Sequence, residues 1–157
     1  MAVVMNVAGY AEALESAVQV DIGNGLIVNV ASIPALTALN LLAWNDRGLV
    51  DGKDAQDLFF LLKHYHEAGN IDRLYDEAFA LLEGCGHDVE LAGAALLGYD
   101  TKLIVEEMTR MALLNVLGDA VKRDRLIVHM ARPTAADPAI PSSFIQQFER
   151  GLGLATL

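Results

Sequence analysis

Leu39-Asn40-Leu41-Leu42-Ala43-Trp44-Asn45-Asp46-Arg47, followed closely by Lys53-Asp54-Ala55-Gln56-Asp57-Leu58, is the stretch whose reading decides the fold. Leu36, Leu39, Leu42 and Ala43 recur at helical spacing. Ser32 suits an N-cap, Pro34 suits the first turn that follows, and Gly48 suits a stop. A helix is therefore predicted from about Ser32 to Arg47. A second starts near Gly52 or Lys53 and runs to Ala68, halted by Gly69. Its stripe is Leu58, Phe59, Leu62 and Tyr65, while Phe60 and Leu61 point elsewhere, so it reads as a central helix. At the corner between the two helices sit Arg47, Lys53, Asp54 and Asp57. Asn40 lies two turns before Arg47 on the same face. Charged groups drawn into such a corner must be paired, so a site belongs here if anywhere.

Upstream, Gly9 to Ala17 reads as a short helix with Tyr10, Ala13, Leu14 and Ala17 on one face. Then the period changes to two. Val18, Val20 and Ile22 alternate with Gln19 and Asp21; Leu26, Val28 and Val30 alternate with Ile27 and Asn29. Between them Gly23-Asn24-Gly25 supplies residues that tolerate positive φ, the signature of a hairpin. Two strands alone are marginal in water. The hairpin is thus expected to extend a larger sheet in a longer ancestor, or to pair with a second copy across a two-fold axis.

Downstream the pattern stays helical. Asn70 is expected to cap a third helix through Leu74, Ala78, Leu81 and Leu82 to Gly84. Asp88 caps a fourth that ends near Gly98. Asp100 or Thr101 starts a fifth that reaches about Lys122. Leu126 to Met130 reads as strand or as helix continuation. Arg132 to Ser142, with three prolines, reads as an irregular connection, and Phe144 to Leu152 as a final helix. The fold class is mainly α (α+β): a bundle of about five to seven helices with a small N-terminal antiparallel hairpin. One domain is expected over 1–157, with helix and hairpin in 5–31, bundle in 32–122 and a C-terminal extension in 123–157.

Hydrophobic residues make up 54% of the 157, and mean hydropathy is +0.34. That excess suggests apolar surface hidden against another chain, so a homodimer is expected. No run approaches the roughly 20 residues that span a bilayer. Met1 to Asn6 carries neither a basic residue nor a cleavage pattern, so no signal peptide is expected. The single Cys85 cannot form an internal disulfide and reads as a small buried thiol in a reducing, cytoplasmic setting. A net charge of -10 repels phosphates. Lys122-Arg123-Asp124-Arg125, broken by its own Asp, reads as a solvated helix end, so nucleic acid is not an expected partner. His64, His66 and Glu67 are metal-ligand types, but His66 points away from His64. His87 and His129 read as surface residues, Trp44 as core, and Asp72, Asp76 and Glu77 as a solvated face.

From Met5 to about Leu117 the chain resembles the C-terminal half of bacterial predicted nucleotidyltransferases of the abortive-infection toxin type, in the DNA polymerase beta-like superfamily. The blocks that carry the resemblance are Met5-Asn6-Val7-Ala8-Gly9-Tyr10-Ala11-Glu12-Ala13, Val28-Asn29-Val30-Ala31-Ser32-Ile33-Pro34, the two corner blocks quoted above, and Leu91-Ala92-Gly93-Ala94-Ala95-Leu96-Leu97-Gly98. The resemblance implies a preceding sheet with a Gly-Ser turn for the phosphates and an Asp-x-Asp pair for magnesium. It also implies a helical half that contributes a Lys, an Arg and an Asp. By position Arg47 matches that Arg, and Asp54 the aspartate of its Lys-Asp pair. Asn40 stands where the family usually has Lys and cannot pair with phosphate as a cation. No Gly-Ser occurs in the sequence; Gly84-Cys85-Gly86 before Asp88-Val89-Glu90 has the wrong spacing to replace it.

The candidate remnant site is therefore Asp54, Arg47 and Asn40, with Lys53 and Asp57 as nucleotide contacts, set against a salt-bridged corner in which Arg47 grips Asp54. The expected function is a non-catalytic, oligomeric domain resembling the helical half of a nucleotidyltransferase, such as a truncated remnant on a toxin–antitoxin-related mobile element. The alternatives are an accessory subunit that needs a separate catalytic chain, and a small-molecule binding module. No cofactor is expected; magnesium would be needed for any transferase activity that survives.

Overall fold

The computed structural model describes residues 7–47, 49, 52–134 and 137–157. Gly48, expected to stop the second helix, and Met5 and Asn6 of the first matching block lie outside the described residues. The chain is mainly helical, with an N-terminal hairpin. The helices are α1 (Tyr10–Glu15), α2 (Ile33–Arg47), α3 (Lys53–His64), α4 (Ile71–Tyr75), α5 (Phe79–Gly84), α6 (Val89–Ile104), α7 (Glu107–Gly118), α8 (Ala120–Ala131) and α9 (Ala139–Gly153). Strands β1 (Val18–Asp21) and β2 (Ile27–Val30) pair antiparallel between α1 and α2. No helix among the described residues is long and apolar enough to cross a membrane.

The hairpin forms where the two-residue period placed it. Val18 opposes Val30, and Val20 opposes Val28. Gly23, Asn24 and Gly25 all take positive φ, and Asp21 Oδ1 accepts the Gly23 N–H at 2.8 Å, closing the turn.

The helix with the longest buried run is α6. Every residue from Ala92 to Gly98 is buried, and α6 packs against α2, α3, α5 and, most extensively, α9. The predicted central helix, α3, touches α2, α6, α8 and α9 but keeps an open face on which Phe60 is 63% exposed. One core joins Leu41, Trp44, Leu58, Leu82, Leu96 and Phe148, so α9 is part of the same packing as α2 and α3.

The α6–α9 crossing depends on two glycines. A methyl at Gly98 would overlap the Phe148 carbonyl and sit 3.0 Å from the Leu152 nitrogen. A methyl at Gly151 would overlap the Ala95 carbonyl and sit 2.8 Å from the Tyr99 nitrogen. The two backbones touch directly. Gly98 is thus a packing position within α6, and the expected helix end there moves to Ile104, where Val105 and Glu106 turn extended. Asp100 and Thr101, expected to start the next helix, lie buried inside α6.

The remaining boundaries follow local hydrogen bonding. Asp88 caps α6 through the Leu91 N–H, as expected, and Ser32 Oγ accepts the Ala35 N–H at the start of α2. Asp119 caps α8 through the Lys122 N–H, which ends the expected long fifth helix and makes Leu126 to Met130 helical. The third helix is split: the Arg73 carbonyl accepts from both Asp76 and Ala78, closing α4 before α5 begins. The stretch expected to be irregular up to Ser142 turns helical at Ala139. Pro141 fits there because a first turn needs no internal N–H donors.

A buried carboxylate anchors the N-terminal helix. The Thr109 hydroxyl of α7 donates to Glu12 Oε1 at 2.6 Å. That bond, aided by nearby backbone amides, holds the Glu12 carboxyl below the usual carboxylate range despite burial. A depressed folded value contributes stability at neutral pH, which is lost as pH falls from the ordinary carboxylate value through the folded one. We expect Glu12→Gln to cost about 1–2 kcal/mol at pH 7, as for a charge-assisted hydrogen bond. The gap to the parent should narrow as urea midpoints are measured down through the acid range. A constant gap would refute this role.

Candidate functional site

The α2–α3 corner is built as the sequence suggested. Arg47 ends α2, and Lys53, Asp54 and Asp57 occupy the first two turns of α3. One terminal nitrogen of Arg47 donates to both Asp54 oxygens, each at 3.1 Å. This is a single forked contact and lacks the parallel two-nitrogen clamp of the strongest Arg–carboxylate pairs. Arg47 remains 66% exposed and Asp54 19%, so the pair contributes under about 1 kcal/mol. Arg47, Lys53, Asp54 and Asp57 together line an open depression of about 290 Å³. Asn40 is half-buried and is not among its lining residues. The corner therefore brings four of the five predicted residues together and leaves out Asn40. Among the described residues, no three His, Cys, Asp or Glu side chains stand close enough to hold a metal ion.

Beneath this corner lies a polar contact that sequence reasoning missed. The Trp44 indole N–H donates to His129 Nδ1 at 3.1 Å, and both rings are buried. His129, read from the sequence as a surface residue, shares the inward face of α8 with Leu126 and Met130. Its buried acceptor nitrogen is satisfied by the indole. The Arg125 guanidinium stacks on Trp44, 4.8 Å from the ring centre. Arg123 donates to Glu149 at 2.5 Å and to the Leu117 carbonyl. Arg123 and Arg125 are thus spent on contacts with α2, α7 and α9, so these two are not the solvated residues expected.

A second polar group is buried where α6 meets the α3–α4 connection. Asp100 accepts the Tyr65 hydroxyl at 2.6 Å and two Arg73 nitrogens at 2.8 and 3.0 Å. Asn70, expected as a cap, instead donates to the Tyr65 carbonyl and accepts from Arg73. Arg73 also donates to Glu77, which the sequence placed on a solvated face. Burial, then the Asp100 hydrogen bond, pushes the Tyr65 phenol well above its ordinary value. Asp100 likewise raises Arg73, which stays cationic. This set of charges and donors ties α4 and the α3–α4 connection to α6, with Arg73 at its solvent edge.

The two histidines flank one carboxylate: His64 Nδ1 lies 3.1 Å from Glu67 Oε2 and His66 Nε2 3.8 Å from Glu67 Oε1, while the buried His66 turns its Nδ1 to the Lys63 carbonyl. Phe60 and His64 stack with ring centres 4.5 Å apart and separate two depressions. The smaller, about 260 Å³, is lined by Ile33, Leu61 and Tyr65 among others. The larger, about 520 Å³, reaches Phe59, Lys63, Met130 and Ile140. Cys85 is half-buried, donates to Gln147, and has its thiol pushed up by burial, so it is a poor nucleophile.

The most unusual surface is the hairpin. Paired residues of a ladder share a face, so Val18, Val20, Val28 and Val30 lie together. Ile22 donates to the Leu26 carbonyl at 3.0 Å, which continues the alternation and adds those two to the same face. Val18, Val20, Ile22, Leu26 and Val30 are 39–59% exposed. Gln19, Asp21, Asn29 and the 59% exposed Ile27 point the other way. Among the described residues, the two strands pair with each other and pack broadly on no helix. Compared with protein-family models, with curated proteins and with solved structures, the chain matches none.

Proposed function

We propose that this chain is a non-catalytic interaction domain that works as an oligomer, derived from the helical half of a nucleotidyltransferase. The observation that carries the oligomeric reading is the exposed aliphatic face of the hairpin, which the helices among the described residues leave uncovered. A sheet face of that kind is ordinarily buried on a core. The descent rests on the order and spacing of the matching sequence blocks. The corner supports a non-catalytic reading, because Asp54 is engaged by Arg47 and Asn40 supplies no cation to the depression. Magnesium and a separate catalytic chain would be needed only if transfer persists.

The test has two arms. Sedimentation equilibrium on the full chain should return a mass above that of one chain at micromolar concentrations; a monomer throughout overturns the oligomeric part. Incubation with magnesium and each labelled nucleoside triphosphate should give no transfer. Transfer that Asp54→Ala abolishes overturns the non-catalytic part.

A second reading is favoured by the cavity of about 520 Å³ beside Phe60. Its size and mainly apolar walls, with Lys63 and Gln56 at hand, suit a small molecule carrying an apolar body and one polar end. Native mass spectrometry of freshly purified protein should then show an added mass that Phe60→Ala loses; an unliganded mass counts against it.

A further inference from the structure

We propose that Asn24 is a self-modifying position: the main-chain nitrogen of Gly25 closes onto the Asn24 side chain, and water then opens the ring to aspartate and isoaspartate. This goes beyond the function proposed above and rests on the hairpin turn alone.

The chemistry needs a side-chain amide, a nucleophilic nitrogen one residue on, and open space around both. Asn24-Gly25 is the single Asn-Gly pair in the sequence. Every other asparagine is followed by a residue whose side chain stands beside the attacking nitrogen, as Val30 does after Asn29. Gly25 has no Cβ, and the position a Cβ would take has nothing within 4 Å of it. Asn24 and Gly25 are both exposed. Among the described residues, neither the Asn24 side chain nor the Gly25 N–H has a hydrogen-bond partner. The turn is closed by other groups: the Leu26 N–H donates to the Gly23 carbonyl at 3.0 Å and the Gly23 N–H to Asp21 Oδ1 at 2.8 Å.

The closed turn holds Asn24 at φ 55° and Gly25 at φ 72°. Ring closure needs the Gly25 nitrogen to swing onto the Asn24 side-chain carbon, a rotation about one main-chain bond. Hydrogen bonds on both sides would resist that rotation inside a helix or a central strand. Here the bond lies at the tip of a two-stranded hairpin that packs broadly on no helix among the described residues. Such a tip opens locally at low cost while the helical core stays folded.

The step balances with water alone. The Gly25 N–H gives its proton to hydroxide, and the nitrogen forms a bond to Asn24 Cγ. The bond from Cγ to Nδ2 breaks, and Nδ2 takes a proton from water and leaves as ammonia. Water then adds to one of the two carbonyls of the five-membered cyclic imide. Breaking the bond between Cγ and the Gly25 nitrogen gives aspartate. Breaking the bond between the main-chain carbonyl carbon and that nitrogen gives isoaspartate, in which the chain runs through Cβ and Cγ. In sum NH2 is exchanged for OH, and nothing is oxidised or reduced. Either product adds a negative charge to a turn flanked by Asp21, on a protein already at -10. Isoaspartate also lengthens the main chain by one carbon between the Gly23 carbonyl and the Leu26 N–H. It thereby loosens that hydrogen bond and the Ile22–Leu26 pairing beside it.

The test follows each asparagine of the full chain by electron-transfer mass spectrometry during incubation in neutral and mildly alkaline buffer. Asn24 should convert at least about tenfold faster than Asn29, its equally exposed neighbour on β2. It should yield aspartate and isoaspartate together, at a rate that climbs with pH. In chain unfolded by guanidinium chloride the Asn24 rate should exceed the native one by no more than about 30-fold, as for local opening of low cost. A larger gap means that the closed turn keeps Asn24 inert and overturns the proposal. Equal conversion of Asn24 and Asn29 also overturns it, as does aspartate without isoaspartate, which excludes the cyclic imide. Gly25→Val, compared in the unfolded chain so that folding plays no part, should slow conversion at least about tenfold; an unchanged rate overturns the assignment of the Gly25 nitrogen. Once separated by anion exchange, the isoaspartate form should exchange its β1 and β2 amides faster than the parent. Equal exchange overturns the loosening of the turn.

Discussion

Gly98→Ala should lower the stability of this protein by at least about 3 kcal/mol, the upper range for overpacking, and Gly151→Ala should do the same. Each added methyl meets a backbone carbonyl of the opposite helix, which no rotamer change can relieve. The helices must separate instead, and α6 and α9 share the most extensive contact between any two elements. Separation opens the packing around Phe148, Ile145, Leu96 and Leu152, all fully buried. For a chain of this length the loss corresponds to a fall of roughly 6–12 °C in Tm. Gly153→Ala is the control. It lies on the same helix with nothing within 4 Å of an added methyl, and should leave Tm unchanged or slightly raised. Thermal unfolding followed by far-UV circular dichroism, with Trp44 fluorescence as a second probe, separates these outcomes. If Gly98→Ala and Gly153→Ala melt together, the backbone contact is not what sets the α6–α9 spacing.

That contact shows why part of this fold was legible and part was not. The hairpin could be read because its information is local: a two-residue alternation on each side of Gly23-Asn24-Gly25. The corner could be read for the same reason, since Arg47 and Asp54 are seven residues apart. Gly98 carries a local signal too, but a misleading one. Glycine after an apolar run resembles a helix stop, and only the approach of α9 explains its presence inside α6. Asp100 was misread similarly. An acidic residue just past a glycine resembles a helix start, whereas its partner Tyr65 lies 35 residues away. Trp44 and His129 are 85 residues apart, and Glu12 and Thr109 97. Periodicity reports which face a residue occupies. It does not report which distant residue meets it there, so buried polar pairs stay hidden.

The site divides along the same line. Four of the five predicted residues share one depression because sequence spacing places them on consecutive helix ends. Asn40 does not join them, although two turns of helix put it on a similar face. The depression is open, carries both signs of charge and holds its Arg–Asp pair at the surface. The strongly determined polar group of the molecule is elsewhere, around Asp100, and the strongly exposed apolar surface is elsewhere again, on the hairpin. The buried polar group, the surface charge pair and the exposed apolar face thus occupy three separate places in the fold.

Asp100→Ala should be a strongly damaging polar substitution, costing about 2–3 kcal/mol, as when a buried phenol and a part-buried guanidinium lose a charged acceptor. The Tyr65 hydroxyl and two Arg73 nitrogens lose their acceptor together, and the phenol has no water to turn to. Tyr65→Phe removes one neutral donor and should cost only about 1–1.5 kcal/mol. In the double variant Tyr65→Phe/Asp100→Ala the unpaired phenol is absent, so the combined loss should fall short of the sum by about 1 kcal/mol. Alkaline pH supplies an independent check. The folded Tyr65 value lies above the ordinary phenol value of about 10, so its contribution is whole below that pH and is lost as pH rises beyond it. The parent should therefore lose urea stability above pH 10 more steeply than Tyr65→Phe. Strict additivity in the cycle, together with matching alkaline slopes, would mean that Tyr65 and Asp100 act independently and that the α3–α6 junction is held by packing alone.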